Sequence, residues 1–162
     1  MLASLFELGH VVLAFVLVSG LVGRWVLLTT AARSDDVERA HLLAEVASPF
    51  ERAVQVSSPV LLALGLATAW AQGYPWLGLT TGWMLLAILL IVPILALIPT
   101  VFVPRGRVFE AAMAEAREVG TVTPALRAAW ADPAVAMARR YELVAIAVII
   151  GLMVVKPFGT LM

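Results

Sequence analysis

Long apolar blocks alternate with two charged segments along the chain, and the blocks have the length of membrane spans. Between residues 5 and 28 the polar interruptions are Glu7, His10, Ser19 and Arg24. A helix needs about 20 mostly apolar residues to cross the hydrocarbon core, so this block predicts a first span. Charges then gather over residues 29–47, where Asp35 and Glu38 have the spacing of a helix start. They predict a short amphipathic helix lying on the membrane surface and carrying His41, Leu42, Leu43 and Val46. Ser48, Pro49 and Glu51 supply a fresh start signal for a second span over residues 50–72. No charged residue stands between Ala53 and Pro104, a stretch long enough for two spans joined by a turn at Gly73, Tyr74, Pro75 and Gly78. The third span is expected over residues 77–103, with Pro59, Pro93 and Pro99 each removing a backbone donor and predicting a bend or an end. Residues 105–141 form the second polar segment, with a helical run at 108–119, a stop at Gly120 and new starts at Thr123-Pro124 and Asp132-Pro133. From Pro133 one helix continues into the apolar run at 143–155 and gives a fourth span over residues 137–160, closing at Lys156, Pro157 and Gly159. The expected fold is all-α: a single transmembrane domain over residues 1–162, an integral membrane four-helix bundle with amphipathic surface helices in its two charged loops.

Composition agrees with this pattern. The chain is 62% hydrophobic and 14% charged with a mean hydropathy of +1.00, far from the usage of a water-soluble domain. Eleven basic and eleven acidic residues cancel, so no overall field draws the chain to nucleic acid. The absence of Cys removes disulfides, thiolate metal sites and thiol nucleophiles together. Glu7 stands where a secretory signal would carry basic residues, and the first block is too long for one, so it reads as a mature span. Every Arg falls in or beside the two polar segments, and only Lys156 lies elsewhere. Short basic loops stay cytoplasmic, which predicts an N-out/C-out multi-pass protein of a bacterial inner membrane. Trp25, Trp70, Trp76 and Trp83, with Tyr74, read as interface anchors.

The ionisable residues inside the spans carry the candidate chemistry, because a charge at mid-depth costs roughly 2.5–3.5 kcal/mol on insertion scales and must face protein. At about 100° per residue Glu7, His10 and Arg24 share one stripe of the first helix with Ala14, Leu17 and Leu21. Glu142 and Lys156 are likewise aligned on the fourth helix. Running the two helices antiparallel gives an inner layer of Arg24 with Glu142, expected to be a structural ion pair, and an outer layer of Glu7, His10 and Lys156. In the outer layer His10 is the candidate ligand, for haem iron, and Glu7 and Lys156 are the candidate cofactor-binding charges around it. Met84 and Met153 lie at similar depth, as sulfur ligands or as packing, whereas His41 sits in the inner loop and cannot reach the same ion. No Ser-His-acid trio, phosphate loop or His-rich metal motif appears.

Two short elements carry a family resemblance. Glu7-Leu8-Gly9-His10-Val11-Val12, with Gly20 ten residues after the histidine, resembles the first helix of a group of small bacterial membrane proteins. That group includes the HemJ-type protoporphyrinogen oxidases, the CopD-like copper proteins and uncharacterised four-span relatives. Arg140-Tyr141-Glu142 followed by Val154-Val155-Lys156-Pro157-Phe158 resembles the group's closing element. The resemblance implies that His10 matches the haem-ligating histidine and Lys156 the terminal lysine. The oxidase's Asn-Glu-x-Pro pattern is absent, since the chain reads Tyr141-Glu142-Leu143-Val144, so the uncharacterised relatives fit better than the oxidase. Three readings follow: a haem or porphyrin binder at His10, a non-enzymatic accessory or scaffold protein held together by its intramembrane charges, and a small-molecule or proton carrier using the Pro-interrupted helices. The lipid bilayer is the one expected partner, and a homo-oligomer or a larger membrane complex is compatible with all three.

Overall fold

A computed structural model describes residues 1–158. Its helices are α1 (Leu2–Ala31), α2 (Val37–Ala71), α3 (Gly82–Leu97), α4 (Val103–Val119), α5 (Pro124–Trp130) and α6 (Pro133–Val155), with no strand among the described residues. The first two form an antiparallel hairpin, α3 and α6 form a second pair, and the pairs meet where α2 touches α3 and α1 touches α6. Leu17 and Leu21 of α1, Val54 and Leu61 of α2, Ile94 of α3 and Ile146 of α6 fill the space between them. Large apolar side chains also point outward, among them Phe15, Leu89, Val144 and Val154, each more than half exposed. Such faces suit acyl chains and would be untenable in water. By length and composition three helical stretches can cross a membrane: Leu2–Ala31, Val37–Ala71 and Gly82–Val119. The 23-residue α6 packs beside them, but every 18-residue stretch of it carries Arg139, Arg140 and Glu142.

Several local expectations are corrected. The start signal at Ser48-Pro49 is not used: α2 runs unbroken through Pro49 and Pro59, capped at its true start by Asp36, whose carboxylate accepts from the amides of Glu38 and Arg39. Pro49 leaves the carbonyl of Glu45 without its helical donor, and Glu45 is exposed, so water can take that role. Residues 37–47 are therefore not a separate helix lying on the bilayer. They extend α2, and Val37 and Ala40 pack with Ala112, Met113, Ala116 and Leu126 into a second apolar cluster at the charged end. A helix of 35 residues is about 52 Å long, against about 30 Å of hydrocarbon, so this extension must leave the bilayer. Partly or fully exposed ion pairs lie at the same end, Arg105–Asp132 at 3.0 Å and Arg117–Glu38 at 3.3 Å, and such pairs contribute little compared with the buried apolar contacts. They place both charged connections at one end of the bundle.

The third span begins at Gly82, not at residue 77, because Trp76 and Leu77 adopt left-handed backbone angles inside a 3-10 turn at Pro75–Gly78. Near Pro99 the regular α-helix α3 ends, at Leu97, but the chain stays helical. Pro99 sits in a π-helical turn, Ile98–Phe102, that leads directly into α4, and the Thr100 hydroxyl donates to the carbonyl of Ala96 at 2.6 Å. Trp70 and Trp76 are exposed as anchors should be, but Trp83 is buried, edge-on to Tyr74, and is a core residue. Lys156 ends α6 in a left-handed conformation, whereas Gly159 lies outside the described residues.

Gly20 lets α1 and α2 approach closely. A Cβ there would lie 2.9 Å from the Val54 side chain and 3.1 Å from the carbonyl oxygen of Phe50, and the backbone atom cannot yield. Gly20→Val should destabilise the protein by about 1–3 kcal/mol, read as a lower Tm in detergent, whereas Gly106→Ala, inside α4 with nothing within 4 Å, should leave Tm unchanged or slightly raised.

Candidate functional site

Arg24 and Glu142 are the most buried ionisable side chains, 5% and 0% exposed, and they meet between α1 and α6 with Nη2 donating to Oε2 at 2.5 Å. The π turn at Pro99 brings Phe102 to the same place, and its ring lies 4.8 Å from the guanidinium carbon of Arg24. One contact therefore joins α1 to α6 and, through Phe102, to the end of the third span. Arg24 Nε and Glu142 Oε1 have no protein partner, so the pair keeps a free donor and a free acceptor inside the bundle.

His10 is half-buried and turned toward α2. Its Nδ1 lies 3.2 Å from the carbonyl oxygen of Leu61, and because a carbonyl only accepts, the ring proton belongs on Nδ1. The ring rests on Gly65, where a Cβ would come within 3.0 Å of Cε1. Glu7, which is exposed, accepts from Gln72 Nε2 at 3.5 Å near the other end of α2. Lys156 turns to α3 and sits 5.7 Å from the ring centroid of Trp83. No hydrogen bond or ion pair joins any two of Glu7, His10 and Lys156, so the expected outer layer is distributed over three helix contacts instead of gathered in one site.

This arrangement decides what the residues offer a cofactor. With Nδ1 donating to Leu61, Nε2 keeps its lone pair and His10 can offer one axial nitrogen to haem iron. Neither Glu7 nor Lys156 hydrogen-bonds or pairs with His10; Glu7 meets Gln72 and Lys156 faces Trp83. Met84 is packed beneath the turn at Gly78, and Met153 lies against the core. No group of three His, Cys, Asp or Glu side chains able to hold a metal ion is present among the described residues.

Two participants escape a reading by sequence. The Tyr141 hydroxyl donates to the carbonyl of Leu90 at 3.0 Å and fastens α6 to α3. Arg139 is partly buried and within electrostatic reach of Arg24, Glu51 and Glu142. Its place three residues before Glu142, on the same helical face, was the available signal.

Breaking a buried pair strands one charge, whereas removing both replaces it with apolar packing. Arg24→Leu or Glu142→Leu alone should cost about 3–5 kcal/mol in detergent unfolding, and the double variant should lose markedly less than the sum, giving a coupling that a double-mutant cycle reads directly.

Neither a curated protein nor a solved structure matches this chain, the oxidases and copper proteins included. One family does, that of the predicted integral membrane proteins DUF2269. Its match covers residues 5–157 and takes in all six helices but for the first three residues of α1, so the chain belongs to that family.

Proposed function

We propose that this protein is a non-enzymatic membrane accessory or scaffold, a four-span bundle of a bacterial inner membrane whose intramembrane polar groups serve assembly. One observation carries the reading: the side chains of Arg24, His10, Glu7, Tyr141 and Lys156 each end on a neighbouring helix or its cap. Arg24 reaches Glu142 on α6, His10 the Leu61 carbonyl on α2, Glu7 reaches Gln72 at the C-terminal cap of α2, Tyr141 the Leu90 carbonyl on α3, and Lys156 the face of Trp83 on α3. None of these contacts converges with another on a shared cavity. The continuity of α2 through Pro49 and Pro59 also speaks against a carrier built on broken helices.

α6 acts as the fourth span in this reading. Its three charges at residues 139–142 sit at the inner boundary, and 13 apolar or small residues follow before Lys156. The clustered basic residues at one end of the bundle support a cytoplasmic position for that end. Because the chain lacks Cys, single introduced thiols report this directly: Ser34→Cys and Thr121→Cys should be labelled only from the cytoplasm, and Ser4→Cys and Gln72→Cys only from outside.

A second reading is favoured by one feature, the Nδ1 bond of His10, which leaves Nε2 available as a haem ligand. The two separate cleanly. Detergent-purified protein incubated with haem and freed of the unbound cofactor should show no Soret band under the accessory reading. A Soret band lost in His10→Ala would replace that reading with haem binding, and proton or solute flux in liposomes that depends on Glu7 or His10 would replace it with transport.

A further inference from the structure

We infer that Arg139 is a phosphate-binding residue that recognises the headgroup of an anionic membrane lipid at the charged end of the bundle. Six of the chain's Arg side chains have no carboxylate within ion-pair distance among the described residues, namely Arg33, Arg39, Arg52, Arg107, Arg139 and Arg140. All of them are exposed to water except Arg139. Its guanidinium is partly buried, and its Nε is enclosed without a protein acceptor.

Neither nearby acid pairs with Arg139. Glu142 gives one oxygen to Arg24, and Glu51 accepts from Gln55 Nε2 at 3.5 Å. Arg24 is a second cation near Arg139, and neither Glu51 nor Glu142 comes within ion-pair distance of the Arg139 guanidinium, so its donors stay open to an external anion. A partly desolvated guanidinium without an anion is unfavourable, and its fork of donors fits two phosphate oxygens at once.

Depth selects the source of that phosphate. Arg139 lies one helical turn from Glu142, about 4.5 Å farther toward the charged end, where the apolar part of α6 stops and the two polar connections begin. Headgroup phosphates of anionic lipids occupy that level of a bilayer at high local concentration. Exposed Arg140, next in the chain, supplies the long-range attraction that any basic surface has, whereas Arg139 supplies the fixed contact.

The test compares thermal unfolding in nanodiscs of phosphatidylcholine with and without phosphatidylglycerol. Wild-type protein should gain several degrees in Tm from phosphatidylglycerol. Arg140→Gln should keep most of that gain, and Arg139→Gln should lose more than half of it. Arg139→Lys, which keeps the charge without the fork, covers the case in which the Gln variant fails to fold, and it should retain a reduced gain. Glu51→Gln should leave the gain intact or enlarge it. An equal gain in wild type and the Arg139 variants would overturn the inference. So would a Glu51→Gln variant that is destabilised in phosphatidylcholine as much as Arg139→Gln, with the gain unchanged in both, because Glu51 would then be the true counter-ion. A gain of the same size from inorganic phosphate in phosphatidylcholine discs would overturn the assignment to lipid.

Discussion

A guanidinium and a carboxylate cannot face acyl chains, and this requirement organises the bundle. Arg24 in α1 and Glu142 in α6 must find each other at one depth, and they are brought together from opposite halves of the sequence. The two helices make few other contacts, because α1 packs mainly on α2 and α6 mainly on α3. The pair is thus a register mark between two helix pairs that apolar side chains alone would let slide. Leu on Leu is no more favourable than Leu on lipid inside a membrane, so packing, hydrogen bonds and charge must supply the specificity.

Around that mark each neighbouring pair of helices has its own fastening. Gly20 allows the backbone of α1 to sit against α2, and farther along the same seam the imidazole of His10 occupies the space left by Gly65. On the other side Tyr141 reaches the carbonyl of Leu90, and Lys156 covers Trp83. The π turn at Pro99 is part of the same design, since it delivers Phe102 to the guanidinium while allowing one continuous rod to run from the membrane into α4. Outside the bilayer the second apolar cluster joins the extension of α2 to α4 and α5, so the charged end is a folded layer and not a pair of loose loops.

The apolar blocks and the depth of Arg24 and Glu142 were legible in the sequence because the bilayer imposes both: span length follows from its thickness, and an ionisable residue in a span needs a partner at matching depth. The continuity of α2 was not legible. Ser48, Pro49 and Glu51 form a sound local start signal, and the burial of Val37, Ala40 and Ala47 overrides it. The partner of His10 was hidden for a different reason, since a backbone carbonyl leaves no mark in the sequence and Gly65 marks only a small side chain. Trp83 reads as an anchor by composition, yet its place on the inner face of α3 makes it core. Arg139 reads by position as one loop charge among many, although it shares a face with Glu142.

Charge reversal across the pair tests the central claim most directly. Arg24→Glu and Glu142→Arg should each lower Tm sharply in detergent, and the swapped double variant should recover a large part of that loss, because the two positions would again hold opposite charges in contact. A double variant as unstable as the sum of its parts would contradict the account and show that the two side chains do not meet in the folded protein.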